Sequence, residues 1–307
     1  MRLRGELLIG RFDLGRRAFL EPLRALPRGE TSRSSVWDVL AHSNGRLYYT
    51  TFFGALGSVA ADGSDPRVHP ELGAGLNELI EDPQGWIHAT RYSDAPEDPA
   101  RQTRGGVLVL TPAGERVRET PIPPAAGRFR APKSLALDPQ SGELWVNLDA
   151  FDAEGGVHYE TLRISAGGEI QEARPAPPEL HFAAFDRAGR GWFAESLDGE
   201  LRLRVTQRGA ELARASLGPR EPLDFVQDIQ FAPDGRALLA LWSARVVVAR
   251  LGAAGGLSLR ELALARPADC VAPRGRSLLY TAVATRERVF ATLFCGATVL
   301  EAPLPPD

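Results

Sequence analysis

Lysine occurs once in the 307-residue chain, at position 133, although lysine and arginine together number 36. A protein that otherwise uses arginine for every cation keeps here the one basic side chain that can lose its proton when desolvated. It can then act as a base or as a Schiff-base nucleophile toward a carbonyl. Arg128 and Arg130 stand just upstream, in Arg130-Ala131-Pro132-Lys133-Ser134 and the residues before it. They add anion binding to the expected chemistry and would lower the lysine pKa. His181 is the second acid–base candidate. Trp37 offers a stacking wall, Asn77 and Gln227 offer amide hydrogen bonds, and Asp269 offers a carboxylate partner for Lys133.

These residues share a place in an internal repeat. The segments "VWDVLAHSNGRLYYTTF", "LNELIEDPQGWIHATRY", "PKSLALDPQSGELWVNLD", "LHFAAFDRAGRGWFAES" and "VQDIQFAPDGRALLALW" each read as a short apolar strand, a polar turn ending in glycine, and a second strand carrying an aromatic. The sixth and weakest copy is "DCVAPRGRSLLYTAV". The turn glycines are Gly45, Gly85, Gly142, Gly189, Gly235 and Gly275, and each candidate stands about eight residues ahead of one of them, at the start of the first strand. Two further strand-like stretches follow each pair, as in "GGVLVLTPAGERVRETPIP" and "LRLRVTQRGAELARASLG".

Four antiparallel strands per repeat is the content of one propeller blade, so the chain is expected to be an all-β, six-bladed β-propeller in a single domain. Blades begin near 34, 76, 132, 180, 226 and 268, and residues 1–33 supply strands that close the ring by pairing with the C-terminal blade. A TIM barrel needs eight helical segments that the sequence lacks. Blades three apart face each other across such a ring, which would set Lys133 against Asp269, Asn77 against Gln227 and Trp37 against His181 at one pore mouth. Asp38, Glu78 and Asp228 come next along the strands and are expected to turn toward neighbouring strand ends and backbone amides. The insertion from Ser93 to Arg104 would reach the same mouth as a lid. His88 takes the slot used elsewhere by Tyr48, Trp145 and Trp192 and reads as packing between blades.

Composition limits the alternatives. A hydrophobic fraction of 44% with 24% charged residues suits a large folded core. The net charge of −3 predicts no nucleic-acid or membrane partner. Cys270 and Cys295 are too few for a disulfide framework and have no metal-ligand spacing. Arg11 and Asp13 interrupt the N-terminal apolar run, and Arg245 and Arg250 break the longest one, so neither a signal peptide nor a membrane span is expected. The expected location is the cytoplasm, or the periplasm if a leader was removed ahead of residue 1. No cofactor is implied.

The turns "DPQGWIHAT", "DPQSGELWVN" and "DRAGRGWFAES" resemble those of the senescence-marker/gluconolactonase, NHL and streptogramin-lyase group of six-bladed propellers, over about Ser34 to Val283. The gluconolactonase-type members hold a divalent cation with a Glu, two Asn and an Asp at first-strand starts. In this chain those slots carry Trp37, Asn77, Lys133 and His181, so only Asn77 is retained. A lysine ammonium at such a place repels a metal ion. The resemblance therefore implies the fold and a lost metal site. The leading expectation is a pore-mouth site for an anionic or carbonyl-bearing small molecule, acting without a metal as a hydrolase or lyase. The alternatives are a non-catalytic scaffold with a protein partner and a divergent metal lactonase using Asn77, His181 and Asp269.

Overall fold

The computed structural model describes residues 8–13, 18–24, 26, 36–51, 56–94, 105–125, 127–154, 156–171, 179–219, 225–243, 245–262, 264, 279–293 and 298–305. The protein is an all-β, six-bladed β-propeller built of antiparallel sheets in which each strand pairs with the next in sequence. The first sheet is Val36–Ala41, Arg46–Thr51, Leu56–Ala60 and Arg67–His69. The second is Leu76–Glu81, Ile87–Arg91, Gly105–Leu110 and Arg116–Ile122, and the third is Phe129–Leu137, Leu144–Phe151, Val157–Ile164 and Ile170–Gln171. The fourth is Glu179–Phe185, Gly191–Leu197, Glu200–Gln207 and Ala210–Pro219, and the fifth is Val226–Phe231, Ala237–Leu241, Arg245–Leu251 and Leu257–Leu262. Three described strands form the sixth: Leu279–Ala284, Arg288–Leu293 and Thr298–Pro303. The 3-10 turn Pro70–Leu72 is the only helical element among the described residues, so none of them forms a helix able to cross a membrane.

Two compact units divide the chain, Met1–Arg174 with the first three sheets and Pro175–Asp307 with the last three. Within each unit, neighbouring sheets bury their apolar faces against each other. Tyr48, Leu56, Leu76, Leu79, Ile87 and Leu108 fill the space between the first and second sheets. Val107, Ile122, Leu135, Val146 and Leu148 do the same between the second and third. The fourth and fifth sheets meet through Trp192, Leu203, Ile229 and Leu239, and the fifth and sixth through Val246, Val248, Val289 and Leu300. Each fully buried Leu or Ile contributes about 1.5–3 kcal/mol, so these interlayers are the main stabilising term. The N-terminal strands Leu8–Asp13 and Ala18–Arg24 pair with each other, and Ile9, Leu23 and Leu26 pack on Tyr49 and Val59 of the first sheet.

The repeat has a chemical cause at each first turn. Gly45, Gly85, Gly142, Gly189 and Gly235 all have positive φ, between 70° and 86°, which a side chain would strain. Where the turn opens with Asp, the carboxylate organises it: Asp82 Oδ1 accepts from the Gln84 and Trp86 amides at 2.9 and 2.8 Å, and Asp186 Oδ1 from Ala188 and Arg190 at 2.9 and 3.0 Å. The second oxygen takes the ring N–H of the next strand. Trp192 Nε1 donates to Asp186 Oδ2 at 2.9 Å, and His88 Nε2 lies 2.9 Å from Asp82 Oδ2. His88 is thus explained by a bond to its own turn rather than by packing between blades. Burial holds its pKa below the usual value, against the pull of Asp82, and so favours the uncharged ring.

The sixth repeat departs from its expected register. "LYTAVA", read from sequence as a second strand after Gly275, is the first described strand of its sheet. It packs beside the first strand of the fifth and turns at Thr285–Arg288. Gly275, Cys270 and Cys295 lie outside the described residues.

Candidate functional site

Every first strand carries one residue more than its ladder partner. The register jumps between Val36 and Asp38, Leu76 and Leu79, Pro132 and Ser134, Leu180 and Phe182, Val226 and Asp228, and Leu279 and Thr281. The extra residues are Trp37, Asn77, Lys133, His181 and Gln227, with Tyr280 in the sixth sheet. In the second sheet the bulge spans Asn77 and Glu78. A bulge breaks strict alternation and re-aims one side chain, which is why bulges collect beside functional sites. Five sequence candidates therefore share a backbone feature. Asp269 lies outside the described residues.

The bulges are braced from sheet to sheet within each unit. Thr50 Oγ1 donates to Asn77 O at 2.6 Å, and Asn77 Nδ2 donates to Lys133 O at 2.8 Å. Asp38 Oδ2 accepts from the Leu79 amide at 2.7 Å, and Glu78 Oε2 from the Leu135 amide at 3.1 Å. In the other unit Asp228 accepts from the Thr281 hydroxyl. Burial raises the Asp38 pKa and outweighs its two backbone hydrogen bonds. These acids tie first strands together, as their sequence position implied. The third sheet has Ser134 in the acid's slot, held by Asn147 Nδ2 at 2.7 Å.

Around Lys133 the geometry gathers ionisable groups that sequence reasoning missed. Burial lowers the lysine pKa, opposed by the charges of Asp149 and then Glu78. Asp149 sits on the second strand, paired with Ala131 and on its other side with Tyr159. Its pKa is raised by burial, opposed by Lys133, and its Oδ1 is buried without a hydrogen-bond partner among the described residues. Tyr92 belongs to the same cluster: burial pushes its phenol well above the usual range, with Asp149 and Tyr159 adding to the rise. Each member of the Lys133–Asp149 pair favours its neighbour's charge, yet burial wins for both. Burial thus pulls both members toward their uncharged forms, against the charge each presents to the other.

Asp149 and Tyr92 occupy equivalent positions, the step beyond the last pair before the bulge. Ser196 and Trp242 hold that place in the fourth and fifth sheets. The second strand runs antiparallel to the first, so its last residues end beside the start of the first. That was the available signal.

The remaining candidates are accounted for individually. Arg130 is 8% exposed, and its Nε and guanidinium end reach Glu160 Oε2 at 2.7 and 2.6 Å, while Arg128 lies 3.8 Å from the other Glu160 oxygen. Strand alternation puts Arg130 on the face opposite Asp149, so its charge is met by Glu160. Trp37 is 48% exposed on its first strand. In the Pro175–Asp307 unit, His181 is 5% exposed and stacks on Phe225 (centroids 6.3 Å apart, planes at 12°). Phe225 in turn stacks on Trp242 at 5.2 Å and 19°, and Gln227 is half-buried. Residues 95–104 of the expected lid lie outside the described residues, and the chain on either side of them is held in place. The Tyr92 amide donates to Gly75 O at 2.7 Å, and a Cβ on Gly105 would stand 2.2 Å from Pro132 Cδ.

Among the described residues no three His, Cys, Asp or Glu side chains gather as a metal site, and the retained Asn77 donates an amide N–H to the Lys133 carbonyl.

The sheets together define a six-bladed β-propeller. The chain is similar to the gluconolactonase of Xanthomonas campestris at 14% identity and TM-score 0.53, covering 89% of this chain and 86% of that one. It is similar to a second structure assigned as a gluconolactonase at 14% identity and TM-score 0.51, covering 91% and 93%. A chain of the mitotic checkpoint complex matches at 9% identity and TM-score 0.64, covering 98% and 86%. At these identities the likeness is one of fold. No family model and no curated protein matches the sequence.

Proposed function

We propose that the Lys133 cluster is a small-molecule site in which the lysine amine engages an electrophilic carbonyl, giving the protein a metal-independent, lyase-type activity. One observation carries the reading: the only lysine of the chain is set on a bulge, where burial depresses its pKa, beside an acid whose own pKa burial raises. That combination favours a free amine and a proton donor at one place. Lys133 Nζ adds to the carbonyl carbon, and one of its protons passes to the oxygen. Asp149 protonates the resulting hydroxyl, which leaves as water. A neutral amine and a neutral acid thereby become an iminium ion beside a carboxylate, and the developing charges form as a pair. Asn77 and Glu78 hold the backbone that leaves the lysine, through Lys133 O and Leu135 N.

The test uses the unusual composition. With one lysine, the chain offers reductive amination only Nζ of residue 133 and its N-terminal amine. Incubation with a panel of aldehydes and ketones plus cyanoborohydride, followed by peptide mass spectrometry, should place the adduct on Lys133, with none at that peptide in K133M. Labelling of the N-terminus alone would refute the reading and favour the non-catalytic scaffold.

A further inference from the structure

We propose that the ligand of the Lys133 site is uncharged and carries an aromatic ring a short tether away from its carbonyl, an inference that rests on the amine–carbonyl reading above. Charge is the first ground. The groups whose charges act on Lys133 include two acids, Asp149 and Glu78. The arginines nearest in sequence, Arg128 and Arg130, both face Glu160. Beside a neutral amine and a neutral Asp149, a ligand carboxylate would meet no counter-charge from the pair and would be repelled by Glu78, and the two arginines of "GRFRAPK" are turned to Glu160.

The second ground is an aromatic wall. Phe151 lies two residues along the strand from Asp149, on the same face, and pairs across the ladder with Phe129. The two rings stack with centroids 6.4 Å apart and planes at 24°, and Tyr92 meets Phe151 edge-on at 6.3 Å. All three are half-buried, so ring surface remains open. Two residues of strand span about 7 Å, the reach of a phenyl group joined to a carbonyl through two carbons. A face of phenylalanine rings next to a paired amine and acid accepts such a substituent by apolar burial and ring stacking.

The experiment compares Lys133 labelling rates for propanal, 3-phenylpropanal and 3-(4-carboxyphenyl)propanal with cyanoborohydride. The wild type should label at least about tenfold faster with 3-phenylpropanal than with either of the others, the advantage expected for burying one ring. The ratio of 3-phenylpropanal to propanal should fall toward unity in F151A and in F129A, two variants on different strands, so that one informative protein suffices. Equal rates for the three aldehydes, or faster labelling by the carboxylated one, would overturn the aromatic and uncharged assignment while leaving the amine chemistry standing. No adduct at Lys133 with any aldehyde would overturn the underlying reading and this inference with it.

Discussion

Replacing Lys133 with methionine keeps the aliphatic stem and removes the charge, and the consequence can be worked from the residues around it. Asp149 loses the cation that opposes burial, so its pKa, already raised, climbs further. A buried lone carboxylate is so costly that the group takes up a proton instead. The most this can cost at pH 7 is the work of protonating a carboxyl of ordinary pKa near 3.9, about three pH units or roughly 4 kcal/mol. The sign follows from proton counting. Folded K133M keeps a proton on Asp149 that the unfolded chain releases above about pH 4, so this contribution is fully present at low pH and is lost as pH rises. Urea unfolding of both proteins from pH 4.5 to 8 should show a stability gap of no more than about 4 kcal/mol at pH 7 that shrinks by up to about 1.4 kcal/mol per pH unit on acidification. A gap of the same size at every pH would mean that the lysine stem's packing, not its coupling to Asp149, is what the mutation removed, and the cluster would lose its electrostatic basis.

Two other outcomes follow from the structure. Because burial depresses the His88 pKa, the unfolded chain binds the extra proton first, and stability should fall as pH drops below about 6.5. H88Q should flatten that part of the thermal-unfolding pH profile, whereas an unchanged profile would place the titration elsewhere. G105A sets a methyl 2.2 Å from Pro132 Cδ and should lower stability by about 1–3 kcal/mol and slow aldehyde labelling of the adjacent Lys133; full stability with unchanged labelling would show that the stem does not brace the bulge.

The fold was legible because its recurring device is chemical. A turn glycine at positive φ recurs in five repeats, and in two of them a ring nitrogen of the next strand returns to the turn's Asp, which leaves the same letters in the sequence. Counting back from Gly142 reached Lys133, and the same count reached Trp37, Asn77, His181 and Gln227, though nothing in their identities announces a bulge. The bulge is a property of register, set by pairs such as Ser134 with Asn147 that only the folded sheet reveals. Asp149 stayed hidden for another reason. Its equivalents are Tyr92, Ser196 and Trp242, so the position has no common residue type and leaves no repeat signal. Proximity in sequence says nothing about which face of the strand Arg130 takes, and alternation carries it to Glu160. In the sixth repeat "RGR" offered a plausible turn glycine, while the described first turn, at Thr285–Arg288, contains no glycine at all.

The account turns on the protonation of a single amine, and the composition makes that amine directly observable. Protein labelled with carbon-13 and nitrogen-15 in lysine alone yields one side-chain resonance set, that of Lys133. Following its Cε shift with pH should give a midpoint below the ordinary lysine value of about 10.4, and lower still in D149N and E78Q, which remove the charges that oppose burial. A midpoint at or above the ordinary value, or one that rises when Asp149 is neutralised, would contradict the account.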